Sequence, residues 1–484
     1  MATFRFYGRE RQLESLQRVR ARAAESSAQF TLISGRRRIG KTHLIREHLR
    51  RESSREMPGI YLAGSITPES MLAEEYCGVL AQKLDMQIPM VKDLAEFFRL
   101  VATIAETRPI TLVVDEFQDL TKVSESLTSK LRGIWDIARE RSKLHLIVSG
   151  SMNTMINKIF RDSHEPLFGR IDQEIRLRPF KTTEVEDIFR AYSPGFKNDD
   201  LLAFYAFTGG IPKYMGWLIE ADLLEADAMM EGIVSEDLGF LNEGSAVLQN
   251  EFAGSWINYF NLLLSIAIGR NTWGELAGLN PENALGQHLK RLEEDFKIVG
   301  RLQPLLAKPG SRNARYEITD LFFRFWFRFI HANRRWLVYD DPSRIAEKIK
   351  AGYPTYSGYV LEQWFVERLR ETQLFDQVGP WWQAGKGRDP SEIDIVAVKS
   401  LDIAGKEALA IEVKQQRKAF HAHDFLNKVS LLERKALSDY SIKPICLTTE
   451  DMMLSLSEIE SLVLARNIGK DPIRTKTQKN LGAR

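Results

Sequence analysis

The sequence predicts an α/β protein whose first half is a parallel sheet with helices on its faces, and three stretches predict it. A short β-branched strand at residues 30–34 runs into Gly35-Arg36-Arg37-Arg38-Ile39-Gly40-Lys41-Thr42 and then into helix-forming residues 43–49. A continuous apolar strand, Ile110-Thr111-Leu112-Val113-Val114, ends in Asp115-Glu116. A third, Leu144-His145-Leu146-Ile147-Val148, ends in Ser149-Gly150-Ser151. Helical patterns alternate with these runs to about residue 195, the order expected of a parallel sheet.

The first stretch matches G-x-x-x-x-G-K-[ST] at every defined position, in the strand, loop, helix context the motif needs. Its glycines let the backbone fold back so that N–H groups and the positive end of the next helix face phosphates. Lys41 would reach the β/γ-phosphates and the Thr42 hydroxyl would ligate Mg²⁺. The expected ligand is ATP with Mg²⁺, and Gly35, Ile39, Gly40, Lys41, Thr42 and His43 are its candidate contacts. Asp115 falls at the carboxyl edge of the sheet, placed to hold the Mg²⁺ shell, and Glu116 to orient and deprotonate the attacking water. Ser149-Gly150-Ser151 either sets a γ-phosphate sensor between the strands or is a small-residue turn. Arg170, in the loop before an expected strand at 171–177, is a candidate arginine finger for its own chain or a neighbour.

At 484 residues the chain is long enough for about three domains. Lys and Arg total 67 against 65 Asp and Glu, a formal charge of +2, so no global basic field demands nucleic acid and any basic patch is local. The basic tail at 470–484 reads as a solvated end. Cys77 and Cys446 lie too far apart for a metal-ligand spacing or a disulfide framework, which fits a reducing cytoplasm. Residues 1–11 are charged and lack the apolar core of a signal peptide. The aromatic run at 321–330 is too short to span a bilayer and carries Arg324 and Arg328, so it reads as a buried helix with one polar edge. No membrane is expected.

The boundaries expected are 1–195 for the sheet core, 196–254 for a helical lid, 255–320 for a winged helix, 321–355 for a helical linker and 356–484 for a second α/β unit. In the winged helix, Ile257, Phe260, Leu263, Leu264 and Ala267 space as one buried face, Thr272 starts a second helix, and 283–296 forms a third. Residues 298–302 and 315–318 would then pair as a wing across Pro309-Gly310-Ser311. Such a module either reads DNA, through Gln287, His288, Lys290 and Arg291 on the third helix and Lys308, Arg312 and Arg315 near the wing, or packs against protein.

In the last unit, a helix at 359–369 precedes Ser391-Glu392-Ile393-Asp394-Ile395 and then Ala410-Ile411-Glu412-Val413-Lys414. Strand periodicity sends Glu412 and Lys414 to one face. If the preceding strand pairs with it, Asp394 lies across from Glu412, and two hard oxygen ligands can share Mg²⁺ or Mn²⁺. Lys414 would then help activate a water. E-x-K alone is a weak motif and also fits a surface hairpin.

Two resemblances follow. Phe6-Tyr7-Gly8-Arg9-Glu10, the phosphate loop, Asp115-Glu116, Phe168-Gly169-Arg170 and Gly209-Gly210-Ile211-Pro212 together resemble the archaeal-type ATPases, near the Orc-like and STAND branches of the AAA+ class, although Gln12 stands where a second acid is usual. The resemblance implies that Tyr7, Gly8, Arg9 and Pro212 complete the nucleotide pocket. The order of a helix acid, Asp394, Glu412 and Lys414 resembles the PD-(D/E)xK restriction-endonuclease-like fold, without its proline before the aspartate. This implies a metal set of Glu362, Asp394 and Glu412, with Glu392 and Gln416 as weaker neighbours. The combined expectation is a cytoplasmic ATPase that binds nucleic acid, with DNA expected, and couples its nucleotide state to phosphodiester cleavage. Homo-oligomers would form through the ATPase domain. The alternatives are a STAND-like switch or a DNA motor whose last domain grips without cutting.

Overall fold

The computed structural model of the chain describes residues 3–151, 154–252, 256–278, 284–307, 314–339, 341–383, 391–399, 406–455, 457–459 and 461. Asn283, Lys308, Pro309-Gly310-Ser311, Arg312 and the 470–484 tail lie outside the described residues.

The first sheet holds β1 (Gln29–Ser34), β2 (Gly59–Ala63), β3 (Ile110–Asp115), β4 (Leu144–Gly150) and β5 (Gln173–Arg176) in the order β2-β3-β4-β1-β5, all parallel. β1, β3 and β4 are buried along their whole length, which is why they read as unbroken apolar runs. Ile33, Val113 and Ile147 face one core with Leu13, Leu16 and Leu44, while Phe30, Leu112 and Leu146 face a second with Phe97, Phe98 and Trp135. Because β4 lies between β1 and β3, the phosphate loop and the acidic end of β3 open on one sheet edge with a strand between them.

After β5 comes a run of helices, Thr182–Tyr192, Asn198–Thr208, Pro212–Glu220, Ala226–Gly232 and Phe240–Phe252, the last four within the span expected for a lid. Gly209 closes the second in a left-handed conformation, φ 58°, and Pro212 opens the third at its first position, the usual stop and start chemistry. Three helices follow, Trp256–Ala267, Trp273–Ala277 and Leu285–Glu294, then β6 (Val299–Leu302) antiparallel to β7 (Arg315–Ile318), where a winged helix was expected. One sequence reading is corrected here. The buried face of the first helix is Tyr259, Leu262, Leu263 and Ile266, and Ile257 is 56 % exposed, because the neighbouring aromatics Phe252 and Phe296 draw Tyr259 inward.

The aromatic run is an α-helical turn, Leu321–Phe325, continued by a wider π-type segment, Trp326–Ile330. Arg324 lies over the Tyr359 ring at 3.3 Å and pairs with Glu317 at 3.4 Å, whereas Arg328 is exposed. The Trp326 indole fills the place where a side chain at Gly244 would stand, and its N–H donates to the Leu241 carbonyl at 3.1 Å. The 240–252 helix and the 321–330 segment are thereby packed as one body.

A second correction concerns the expected linker. Residues Ser343–Glu371 form one helix of 29 residues that runs through Pro354 and through the expected boundary at 355/356. Its buried face is continuous across that point, from Ile345 and Ile349 to Tyr356, Val360 and Trp364. The Pro354 carbonyl accepts from the Gln415 side chain at 2.6 Å. The second sheet is β8 (Gln377–Trp382), β9 (Glu392–Lys399), β10 (Glu407–Lys414) and β11 (Ser441–Thr448), in the order β11-β10-β9-β8, with β10 parallel to β11 and antiparallel to β9. The 343–371 helix covers one face through Leu409 and Ile411, and the helix Ala422–Ala436 covers the other through Ala408 and Ala410. No helix among the described residues is long and apolar enough to cross a membrane.

Candidate functional site

The phosphate loop is held by its own backbone. Gly35, φ 156°, has the Ile39 side chain and the Leu177 carbonyl 3.0 Å from where a Cβ would stand, so the turn admits no side chain. Buried Lys41 donates from Nζ to the carbonyls of Gly35 at 2.8 Å and Arg36 at 3.2 Å. Its burial lowers its pKa, with Glu116, Glu251 and Asp115 opposing. The Thr42 hydroxyl donates to Asp115 Oδ2 at 2.6 Å, the Tyr61 hydroxyl to the same oxygen at 2.9 Å, and Ser149 to Asp115 Oδ1. The polar end of β4 therefore bonds the carboxylate of β3 from between the strands. Glu116 is left-handed at φ 53° and accepts from the Gln118 side chain.

Tyr7, Arg9, Ile39, Gly40, His43 and Pro212 line one cleft, joined by Phe4, Arg5, Phe6 and Phe180. Arg9 is positioned over the Phe180 ring at 4.4 Å while its guanidinium donates to the Arg178 carbonyl at 2.6 Å. Gly8, φ 60°, turns the chain against Phe180 and Glu184. Burial, then the bond with Tyr192, pushes the Tyr7 phenol up to about 12, so it stays neutral. Phe6 opens the entry motif and Phe4 and Arg5 directly precede it, a signal the motif alone does not carry. Phe180 carries no motif. An aromatic-walled cleft that shares Ile39 and Gly40 with the phosphate loop, next in sequence to the buried Lys41 ammonium and the Thr42–Asp115 pair, fits ATP and Mg²⁺ in donor chemistry. Arg170 stands elsewhere: its guanidinium is forked onto Asp136 of the helix Leu127–Arg141 at 3.0 and 3.1 Å.

Three acids that no motif marks meet the arginines of the loop. Arg36 pairs with Asp320, the Arg37 backbone N–H donates to Glu251 at 3.0 Å, and Arg38 is forked onto Glu243 at 2.7 and 3.2 Å.

At the second sheet, the β9–β10 register runs to Ile395 opposite Ile411, which carries Asp394 to the position across from Glu412. Asp394 Oδ2 accepts the Val413 N–H at 2.7 Å. Lys414 Nζ lies 3.0 Å from Glu412 and 3.9 Å from Asp394, and Lys428, from the 422–436 helix, lies 3.2 Å from Glu412. Burial, then Glu412, pushes the Asp394 carboxyl up to about 6; burial, then Asp394, pushes Glu362 up to about 8. Burial disfavours the Lys414 charge, but its bond to Glu412 and the surrounding carboxylates outweigh it, and its pKa is raised. Among the described residues no three His, Cys, Asp or Glu side chains form a metal cage, while Glu362 is close enough to Asp394 for their charges to interact. Glu362 comes from the helix on the face opposite the one that supplies Lys428. Asp394 and Glu412 alone remain as paired hard oxygen donors. Glu392 is turned to Arg315 at 3.5 Å.

Residues 6–218 match a family model described as an ATPase domain predominantly from Archaea. That span contains the loop, both acids of β3 and all of the named cleft residues except Phe4 and Arg5. Over that span the chain is similar to archaeal-type ATPase domains. Residues 326–425 match a second family, archaeal and bacterial proteins of unknown function, which takes in Glu362, Asp394, Glu412 and Lys414. A curated relative, the uncharacterized protein MJECL04 of Methanocaldococcus jannaschii, is 28 % identical over 419 residues, 84 % of this chain and 87 % of the relative. Two solved structures are similar. The Walker-type ATPase PABY2304 of Pyrococcus abyssi has a TM-score of 0.49 and 19 % identity, over 68 % of this chain and 98 % of that one. The ORC2 protein of Aeropyrum pernix, in ADPNP–ADP complexes, has a TM-score of 0.48 and 16 % identity, over 72 % of this chain and 97 % of that one.

The second sheet is tied directly to the end of the ATPase domain and to the lid. Glu371, at the end of the 343–371 helix, accepts from the Thr182 N–H at 2.7 Å and its hydroxyl at 2.9 Å, at the start of the helix Thr182–Tyr192. Asn198 donates to the Thr449 carbonyl at 2.8 Å. Arg315 of the wing strand lies over the Trp382 ring at 4.5 Å, so it faces the second sheet. On the third winged helix, Gln287 and Lys290 are exposed, while His288 and Arg291 turn toward Tyr259.

A pH dependence follows from the two raised carboxyls. The unfolded chain loses these protons near the ordinary values of 3.8 and 4.5, whereas the folded chain holds them to about 6 and about 8. Their contribution to stability is thus full at low pH and is lost as pH rises between those limits. Glu362→Gln, which has no proton to lose, should gain on the wild type in melting temperature as pH rises from 4.5 through about 8, by several degrees at the top. Melts across that range check this, and a pH-independent offset contradicts it.

Proposed function

We propose that this chain binds and hydrolyses ATP and couples its nucleotide state to a nucleic-acid-directed site on the second sheet. The observation that carries the first part is the Thr42–Asp115 bond next to buried Lys41, in a loop whose Ile39 and Gly40 also line the Tyr7–Pro212 cleft. In this reading Tyr7, Gly8, Arg9 and Pro212 take the adenine side and Lys41 takes the β/γ-phosphates. Thr42 and Asp115 hold Mg²⁺, which would offset charge on those phosphates. Glu116, kept in place by Gln118, accepts the proton of the attacking water. Arg170, bound to Asp136 in its own chain, would act as a finger only on a neighbouring copy in an oligomer.

On the second sheet, Asp394 and Glu412 would hold Mg²⁺ or Mn²⁺, which stabilises charge on a scissile phosphate. Lys414 would orient the water. Exposed Gln287 and Lys290 are available to duplex DNA. A second reading, a nucleotide-regulated switch whose last domain grips DNA without cutting, is favoured by the two ammonium groups on Glu412 and the absence of a three-ligand cage among the described residues. One preparation tests both. Binding of a fluorescent ATP analogue and cutting of a labelled duplex with Mn²⁺ are expected. No nucleotide binding removes the first part; binding with no cutting under either metal leaves the switch.

A further inference from the structure

The variable positions of the phosphate loop begin with three arginines, and each is met by an acid from more than 200 residues downstream. The Arg36 guanidinium pairs with Asp320 and lies 5.3 Å from the Phe323 ring centroid. Arg38 is forked onto Glu243, which also accepts from the Tyr214 hydroxyl at 3.2 Å. The third contact differs in kind: Glu251 takes the backbone N–H of Arg37 at 3.0 Å, not its side chain.

Loop amides are the groups with which such a turn holds phosphate oxygens. A carboxylate on one of them is an anion of the protein in the place of an anion of the ligand. The three acids are only 5–9 % exposed, so their charges act through little water. Lys41, meanwhile, is bonded to the loop's own carbonyls. All three acids belong to the body formed by the 240–252 helix and the 321–330 segment. Glu243 and Glu251 are eight residues apart, near one face of the helix, and Asp320 caps the segment by accepting the Phe323 N–H at 2.8 Å. That body continues into the 343–371 helix, since the Tyr356 hydroxyl donates to the Leu321 carbonyl at 3.0 Å.

We propose that Glu251 is a built-in competitor of the triphosphate: it occupies the phosphate loop until nucleotide enters, and its displacement loosens the body on which the second sheet's long helix rests. This rests on the ATP-binding reading above, and the two can fail separately. Asp320 and Glu243 hold the arginine side chains and keep the body registered on the loop, so they set how readily Glu251 returns.

The test is the dissociation constant of a fluorescent ATP analogue with Mg²⁺ for the full chain. Glu251→Ala should bind about tenfold tighter than wild type, the scale of one charge-assisted hydrogen bond. Glu251→Gln, which keeps an acceptor but not the charge, should fall between them. In parallel, the analogue should speed amide exchange across 240–252 in wild type and change it little in Glu251→Ala. Equal or weaker binding by both variants overturns the proposal, as does an unchanged exchange rate in wild type at saturating analogue. If Glu251→Ala does not fold, Glu251→Gln carries the same test in the same direction. If no form of the chain binds the analogue, the ATP-binding reading falls and the competitor falls with it.

Discussion

Lys41→Ala is expected to reduce ATP turnover at least about 100-fold, because it removes the one buried ammonium that faces the phosphate position from within the loop. The loss should appear in nucleotide binding as well. The ammonium is bonded to two carbonyls of its own turn and to no carboxylate among the described residues, so triphosphate charge is what it is placed to meet. Glu116→Gln should separate the two effects. Its amide keeps the acceptor that Gln118 uses, so binding should stay within a few-fold of wild type while turnover falls about 10²–10⁴-fold. Steady-state turnover and analogue titration on the same preparations check both. A Lys41→Ala protein that turns over normally would remove the loop from the reaction.

The second large effect is expected at Asp394. Asp394→Asn retains an acceptor for the Val413 N–H, so the β9–β10 pairing should survive, but it loses the charge that pairs with Glu412 in holding a divalent cation. Cutting of a labelled duplex with Mn²⁺ should fall at least about 100-fold while ATP turnover remains within a few-fold. Because Asp394 titrates near 6, metal binding in wild type should weaken as pH falls through that value, where proton and cation compete for the same carboxylate. Residual cutting by Asp394→Asn at the wild-type rate would place the activity in another residue or in a contaminant.

What could be read in the sequence was local. Gly35 to Thr42 and Asp115-Glu116 carry their roles in adjacent residues whose turn and strand geometry is dictated by type and spacing, and the Asp394–Glu412 pairing followed from strand periodicity. What could not be read depended on distant packing. Glu243, Glu251 and Asp320 are ordinary acids in sequence and become loop partners only when the chain returns from residue 240 onward. β8 and β11 were missed because Gly379-Pro380 and Pro444 argue against strands, yet both lie at the edges of the sheet, where a missing N–H donor is tolerated. Pro354 likewise read as a break, but the buried stripe from Ile345 to Leu369 holds the helix through it.

The most direct test of coupling between the two sites is the rate at which the Mn²⁺-loaded full chain cuts a labelled duplex, measured with a non-hydrolysable ATP analogue, with ADP and with no nucleotide. The coupled reading predicts rates that differ several-fold among the three states in wild type and are the same in Lys41→Ala. Equal rates in wild type across all three states, or no cutting in any of them, would contradict it.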